Sequence, residues 1–150
     1  MSPEVGDVAP DFATRNEHGE LVRLSELRGA PVVLVFYPFA FTGICTGELA
    51  GVQAHLDRFS AVGARVLAVS TDTMFTLRVF GEQEGFDFDL LTDHWPHGAI
   101  ASAYEVFDAE LGCARRGSFV LDAAGRVTWK VVNHIGDSRD ISAHLAAVAA

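Results

Sequence analysis

Residues 31–48 have the sequence PVVLVFYPFAFTGICTGE, and this stretch decides how the chain is expected to fold. Its first part, Pro31–Pro38, consists almost entirely of β-branched and aromatic residues, which is typical of a parallel strand buried on both faces. Pro38 cannot donate to a strand ladder, so the strand is predicted to end there. After a short loop, Leu49, Val52 and Phe59 recur at helical spacing, which predicts a helix over about residues 43–60.

Strands and helices continue to alternate along the chain outside this stretch. A last helix is predicted to be capped by Asp137 or Ser138. The other predicted segments are a hairpin (11–24), a helical turn (24–29), strands (64–70, 89–91, 118–122 and 127–132) and helices (73–85 and 97–104). This order predicts an α/β, thioredoxin-like fold: a central mixed sheet with helices on both faces and an N-terminal β-hairpin.

The composition indicates one folded domain over residues 1–150 and argues against several classes of protein. Of the 150 residues, 49% are hydrophobic and 21% are charged, which is close to an average globular domain. The net charge is -9, whereas nucleic-acid-binding proteins usually carry a basic patch. The longest apolar run, residues 32–41, is about half of the ~20 residues that a membrane span needs. The start, MSPEVGDVAPDF, lacks the basic and apolar regions of a signal peptide, so a cytoplasmic protein is expected.

The two cysteines, Cys45 and Cys113, raise the question of which is reactive. Cys45 falls in the first turn of the predicted helix, where unpaired N–H groups and the positive end of the helix dipole stabilise a thiolate. Gly43 has no side chain to keep a small oxidant away from those N–H groups. Thr42 could cap the helix or turn its hydroxyl toward the sulfur. From its position alone, Cys45 could also be a buried apolar residue.

Several motifs resemble those of the peroxiredoxins. Pro38, Thr42 and Cys45 form the PxxxTxxC pattern of that family. Further similar segments follow the order of the family: GDVAPDF (6–12), LLTD (90–93), AYEV (103–106) and RGSFVLD (116–122). The segments FTGICTGEL (41–49) and WPHGA (95–99) are most similar to the one-cysteine branch, the alkyl hydroperoxide reductase E (AhpE) type.

The resemblance implies an antioxidant enzyme that works without a cofactor or metal and reduces hydrogen peroxide, organic hydroperoxides or peroxynitrite. Cys45 is then the peroxidatic nucleophile, which becomes a sulfenic acid. Thr42 and Arg116 are expected to donate to the peroxide oxygens, and Arg116 also to stabilise the thiolate. Pro38 is expected to shape the pocket. The expected supporting residues are Gly43, Ile44 and Glu48, the last as the carboxylate that orients Arg116.

Two schemes remain for the reduction of the sulfenic acid. Position 50 is alanine and no cysteine follows Cys113, so the resolving positions in the same helix and at the C-terminus are not occupied. If Cys113 is a structural thiol, an external thiol must act. In the AhpE type this is mycothiol with a mycoredoxin, and thioredoxin or glutaredoxin are substitutes. Otherwise Cys45 and Cys113 form a disulfide, which needs Cα atoms within about 7 Å.

Aromatic residues near the PxxxTxxC motif have more than one possible place. Tyr37, Phe39 and Phe41 would form an apolar mouth for organic hydroperoxides, or belong to the core or to the homodimer interface that the resemblance implies. Trp95 could lie over the pocket, in that interface or in ordinary packing. Two histidines, His94 and His97, stand on either side of Pro96 in the same segment. The sequence offers no further cluster of metal-ligating residues with them, which favours a surface loop over a metal site.

Two other functional classes compete with a peroxidase. A disulfide oxidoreductase of the thioredoxin fold needs a cysteine at position 48, where Glu48 stands, and a copper-delivery site needs one at position 41, where Phe41 stands. A redox sensor or holdase that passes its oxidation to a client stays open as an additional role.

Arg115 is expected to be a solvated charge on the opposite strand face from Arg116.

Overall fold

The computed structural model describes residues 3–150 of the protein. In chain order the elements are β1 (Ala13–Arg15), β2 (Leu21–Arg23), a 3-10 helix (Leu24–Leu27), β3 (Val32–Phe36), α1 (Gly43–Ala54), α2 (Leu56–Ala61), β4 (Arg65–Ser70), α3 (Met74–Glu84), β5 (Asp89–Thr92), α4 (Ala99–Ala103), β6 (Phe107–Asp108), β7 (Cys113–Ala114), β8 (Arg116–Leu121), β9 (Val127–Asn133) and α5 (Ile141–Ala149). No helix among the described residues has the length and apolar character that crossing a membrane requires. The N-terminal segment MSPEVGDVAPDF, which does not resemble a signal peptide, begins with two residues outside the described range, Met1 and Ser2.

Five strands form the central sheet in the order β5-β4-β3-β8-β9. Strands β3, β4 and β5 run parallel to one another, whereas β8 is antiparallel to β3 and β9 is antiparallel to β8. Strands β1 and β2 form a separate antiparallel hairpin near the N-terminus. The predicted mixed sheet and N-terminal hairpin are therefore confirmed.

Strand β3 lies in the middle of the sheet and is buried along its whole length. Its side chains alternate between two apolar clusters, with Leu34 and Phe36 in one and Val33 and Val35 in the other. Helix α4 contributes to the first cluster, and α1, α2, α3 and α5 contribute to the second. Helices therefore cover both faces of the sheet, as predicted, and Cys45 is buried in the second cluster.

The prediction of a single helix over about residues 43–60 is wrong, because the structure has two helices there, α1 and α2, which are separated at His55. His55 leaves the helical conformation (φ −104°, ψ 6°), and its ring Nδ1 lies 2.9 Å from the carbonyl oxygen of Gly51. The apolar residues before and after the break, Leu49, Val52 and Phe59, all belong to one cluster. Hydrophobic periodicity therefore does not reveal the break.

The predicted cap of the last helix is also wrong. Asp140 is the N-cap residue of α5, and its carboxylate accepts a hydrogen bond from the backbone N–H of Ser142 at 3.0 Å. The preceding residue, Arg139, is buried in contacts with another helix, so the chain is held in place before the helix begins. Strand β8 starts two residues earlier than predicted, at Arg116, which anchors that side chain in the sheet.

Candidate active site

Cys45 lies in the first turn of α1, just after the loop that leaves β3. Helix α1 begins at Gly43 with Thr42 as its N-cap residue, and the first N–H groups of a helix have no partner within it. Cys45 is 0% exposed. Its sulfur is therefore shielded from water while the helix end supplies partial positive charge.

A buried arginine contacts this sulfur from the neighbouring strand. Arg116 is the first residue of β8, and its Nη1 lies 3.3 Å from Sγ of Cys45. The Nε of the same guanidinium donates to the carbonyl oxygen of Ile135, which fixes the orientation of the group. Arg116 is only 3% exposed, so its full charge acts where the effective dielectric is low. An arginine placed in this way stabilises a thiolate.

Glu48 links Arg116 to a second buried arginine, Arg139. Oε1 of Glu48 accepts from Nη1 of Arg116 at 2.6 Å and from Nη2 of Arg139 at 2.9 Å. Oε2 accepts from the backbone N–H of Arg139 at 2.7 Å and from its Nε at 2.9 Å. Two cations thus share one carboxylate, and a thiolate at Cys45 would balance the remaining positive charge.

Two opposing effects act on the carboxyl group of Glu48. Burial raises its pKa, but the hydrogen bonds and charge of Arg139, together with the charge of Arg116, outweigh burial and hold the pKa of Glu48 below its ordinary value of 4.5. The carboxylate therefore stabilises the fold at pH values above 4.5. That stabilisation is lost as the pH falls below 4.5 and through the lower pKa of the folded state.

The variant Glu48→Gln is expected to lower the free energy of unfolding by about 3–5 kcal/mol at neutral pH, because it leaves two buried guanidinium groups without a carboxylate. Urea denaturation measures this change. The matched control is Glu82→Gln, which removes an exposed carboxylate paired with Arg78 on α3 and should cost less than about 1 kcal/mol. Similar small losses in both variants would contradict a stabilising role for the buried pair.

The loop before Cys45 starts at Pro38, which is buried, and ends at Thr42, which is exposed. The hydroxyl of Thr42 donates to the carbonyl oxygen of Phe39 at 2.7 Å, and Thr42 makes no side-chain capping bond to α1. The structure therefore shows neither of the two arrangements that the sequence left open, a side-chain cap or a hydroxyl donated to the sulfur.

The surface over the start of α1 is apolar. Phe39 is 38% exposed and Phe41 47% exposed, and the ring of Phe41 packs on Phe80 of α3 with centroids 5.0 Å apart. Tyr37 is fully buried, so its inclusion in an apolar mouth is wrong: it belongs to the core. The two supporting residues directly before Cys45 are both exposed: Gly43 and Ile44.

Comparison with known proteins decides the family. The model of the AhpC/TSA family matches residues 5–130. The chain belongs to this family of peroxiredoxins. It is similar to alkyl hydroperoxide reductase E of Mycobacterium tuberculosis, with 44% identity over 137 residues, 91% of this chain and 90% of the relative. Peroxiredoxin Bcp of Escherichia coli is 31% identical over 151 residues, 96% of this chain and 92% of the relative.

Solved structures agree with this assignment. The crystal structure of peroxidoxin BcpB from Mycobacterium tuberculosis matches with a TM-score of 0.88 and 32% identity, covering 98% of this chain and 97% of that one. The AhpC of Enterococcus faecalis has the same fold, with a TM-score of 0.88 at 24% identity over 99% of this chain and 92% of that one. This peroxiredoxin is a thiol-dependent peroxidase of the thioredoxin-like fold.

The second cysteine of this peroxiredoxin is not bonded to the first. Cys45 and Cys113 are both free thiols and both 0% exposed. Cys113 begins β7 and lies opposite Asp108 of β6. Burial, with a contribution from the negative charge of Asp108, raises the pKa of the Cys113 thiol to about 11. At neutral pH Cys113 is therefore almost entirely a thiol, which is a poor nucleophile.

Trp95 does not cover Cys45 within this peroxiredoxin chain. Its side chain is 73% exposed and lines a hollow of about 220 Å³ with Phe12, Tyr104 and others. Of the described residues that line this hollow, none is Cys45, Thr42 or Arg116. The place of Trp95 in a dimer interface stays a prediction.

His94 and His97 line a different groove, together with Phe39 and Asp72. Within residues 3–150, no three histidine, cysteine, aspartate or glutamate side chains come together as metal ligands. Arg115 is exposed, as predicted, while Arg116 is buried. Arg115 lies between β7 and β8, however, and not on the opposite face of a strand from Arg116.

Arg139 is not among the residues that the sequence motifs indicate, although the chain carries a signal for it. Arg139 directly precedes Asp140, the N-cap residue of α5, so it places a cation at the positive end of a helix. Such a charge is unfavourable there unless a carboxylate neutralises it. Glu48 is that partner, but its position 91 residues earlier in the chain hides the pair from local pattern analysis.

Proposed function

We propose that Cys45 is the peroxidatic cysteine of this peroxidase. Its thiolate attacks the terminal oxygen of a hydroperoxide, so that the S–O bond forms as the O–O bond breaks. The products are the sulfenic acid of Cys45 and an alkoxide, or hydroxide from hydrogen peroxide, which takes up a proton. The observation that carries the proposal is the 3.3 Å contact between Nη1 of Arg116 and Sγ of Cys45 at the start of α1.

Arg116 acts on both the nucleophile and the leaving oxygen. Its charge stabilises the thiolate before the reaction, and its N–H groups stabilise the negative charge that develops on the leaving oxygen. Thr42 supplies a second donor when its exposed hydroxyl turns from the carbonyl of Phe39 to a bound peroxide. Pro38 shapes the pocket and shields the sulfur of Cys45 from water, and Glu48 holds Arg116 in position. This division of roles is supported by the buried ion pair between Arg116 and Glu48.

The substrates that suit this site are hydrogen peroxide, organic hydroperoxides and peroxynitrite. All three present a peroxide bond to the sulfur. The exposed apolar side chains of Phe39, Phe41 and Ile44 give the carbon chain of an organic hydroperoxide a surface on which to lie. The anion peroxynitrite would meet the guanidinium of Arg116, which contacts the sulfur of Cys45.

An external thiol reduces the sulfenic acid, in a one-cysteine scheme. This is supported by the burial of Cys113 and by its raised pKa, which keep it from attacking Cys45 at neutral pH. Suitable reductants are mycothiol with a mycoredoxin, or a thioredoxin. Both bring a thiol of their own to the oxidised sulfur.

The variant Cys113→Ser tests this scheme. We expect it to be oxidised as fast as the wild type and to turn over equally with mycothiol and mycoredoxin, or with thioredoxin, because the Cys113 thiol takes no part. When the wild type is treated with peroxide in the presence of dimedone, which traps sulfenic acids, mass spectrometry should show a dimedone adduct on Cys45. An intramolecular disulfide in the wild type, with turnover lost in Cys113→Ser, would instead establish Cys113 as the resolving cysteine.

The proposal extends to assembly and location. We propose that residues 1–150 act as one catalytic domain in a cytoplasmic homodimer. A second copy would cover exposed apolar side chains of α3, which include Phe75 and Val79. Two free cysteines suit a reducing compartment.

A further inference from the structure

A buried histidine, His144, connects α5 to the residues around Cys45. It is 1% exposed, and its ring packs against Trp129 of β9 with centroids 5.0 Å apart. Nδ1 lies 2.8 Å from the backbone carbonyl oxygen of Asp140, and Nε2 lies 2.7 Å from the hydroxyl oxygen of Ser118 on β8. Both ring nitrogens therefore have a fixed partner inside the protein.

These partners determine where the protons lie. A carbonyl oxygen can only accept a hydrogen bond, so Nδ1 of His144 carries a proton and donates a hydrogen bond to the backbone carbonyl of Asp140. In the neutral ring Nε2 then accepts, and the hydroxyl of Ser118 donates to it. The oxygen of Ser118 is left to accept from Nη1 of Arg139, which lies 3.0 Å away. A hydroxyl that donates in this way is also a better acceptor, because hydrogen bonds in a chain polarise one another.

The hydrogen bonds continue from Arg139 to the reacting sulfur. Arg139 donates to both oxygens of Glu48, Glu48 accepts from Arg116, and Arg116 lies 3.3 Å from Sγ of Cys45. Ser118 is 0% exposed, and Arg139 is 6% exposed. Water therefore has little access to replace a partner that is lost from this chain of contacts.

We propose that neutral His144 is a positioning residue of the peroxidase, which orients the hydroxyl of Ser118 and thereby holds Arg139 on Glu48 and Arg116 on Cys45. The inference rests on the proposed role of Cys45. It assigns His144 no contact with the peroxide.

The charges around His144 support the neutral form. Burial lowers the pKa of His144, and the positive charge of Arg139 lowers it further, while the carbonyl of Asp140 and the negative charges of Glu48 and Asp140 oppose the shift. The net effect is a pKa below the ordinary value of 6.5, so the ring is neutral at neutral pH. A proton on Nε2 would turn a donor toward Ser118 and remove the acceptor of its hydroxyl.

The test is the rate constant for oxidation of Cys45 by hydrogen peroxide, followed by stopped flow in two variants. His144→Phe keeps a ring but removes the acceptor, and we expect it to slow oxidation about tenfold, by analogy with the loss of a hydrogen-bond partner that orients a metal ligand. His144→Gln can accept from Ser118 through its side-chain carbonyl and should restore most of the rate. Equal losses in the two variants, or none in either, would overturn the proposal.

The matched control is His55→Phe. The ring of His55 also lies close to the backbone carbonyl of the residue four positions earlier, Gly51, but it is outside the chain of contacts that ends at Cys45. This variant should react at the wild-type rate. Wild-type protein that is not oxidised at Cys45 at all would refute the proposed function, whereas oxidation that is indifferent to His144 would refute only this inference.

Two further measurements distinguish positioning from a structural role. In a Ser118→Ala background, His144→Phe should cause no further loss of rate, because the link is already removed. A full additional loss would contradict the proposed route. Nitrogen NMR of the wild type at neutral pH should show the neutral ring of His144 with its proton on Nδ1. A proton on Nε2 would exclude the proposed direction of the hydrogen bonds.

Discussion

Replacement of Cys45 by serine is expected to abolish peroxide reduction. The reaction transfers an oxygen atom onto sulfur, and a serine hydroxyl has no corresponding oxidised state and is un-ionised at neutral pH. Serine occupies nearly the same volume and can accept from Nη1 of Arg116, the group that now contacts the sulfur at 3.3 Å. The fold should therefore persist while activity falls to the background of the buffer.

Two measurements check this expectation for Cys45→Ser. Consumption of hydrogen peroxide in the presence of a thiol reductant gives the activity, and the intact protein mass shows whether an oxygen atom has been added. Thermal unfolding of the variant should stay close to that of the wild type. Rapid oxidation of the variant at Cys113 would identify the other cysteine as the nucleophile and refute the proposed function.

Arg116→Ala is expected to have the next largest effect, a fall of about 100- to 1000-fold in the rate constant for oxidation, the size reported for removing one preorganised donor to a developing oxyanion. The variant loses the cation beside the thiolate and the donor to the leaving oxygen at once. Arg116→Lys keeps the positive charge but replaces the planar guanidinium with a compact ammonium group. It cannot reproduce the contacts to Cys45, Glu48 and Ile135 together, so an intermediate rate is expected.

The matched control is the neighbouring residue. Arg115→Ala removes the same charge from an exposed position, and its backbone bond to the carbonyl of Val106 is kept. Stopped-flow oxidation of this variant should match that of the wild type. If Arg115→Ala and Arg116→Ala slowed oxidation equally, net charge and not the contact with Cys45 would be the cause.

Local sequence determined most of the framework that presents Cys45. The run of β-branched and aromatic residues in β3 predicts a strand buried on both faces, because no face of it carries polar groups for water. Pro38 then ends the strand, and helical periodicity after it predicts the start of α1. These signals lie within a few residues of the elements they specify. The two helix errors, at His55 and at Asp140, come from contacts of individual side chains that periodicity does not represent.

The pairing of Cys45 with Arg116 came from resemblance to a family and not from local pattern. The two residues are 71 positions apart in the chain, and the antiparallel pairing of β8 with β3 brings them together. Glu48 could be anticipated in the same way, one helical turn after Cys45. Trp95, by contrast, belongs to the same family-like segments but lies over a different hollow of the chain.

By itself the sequence determined the five strands of the central sheet, the α/β class and the position of a cysteine at a helix start, since propensity, periodicity and chain-breaking residues act over short distances. Only the tertiary structure decided that Arg139, Ser118 and His144 join Glu48 behind Arg116. These residues are drawn from α1, β8 and the start of α5, and their preference for one another arises from charge and hydrogen bonding in a buried environment. Such contacts exist only once the chain has folded and water has been excluded.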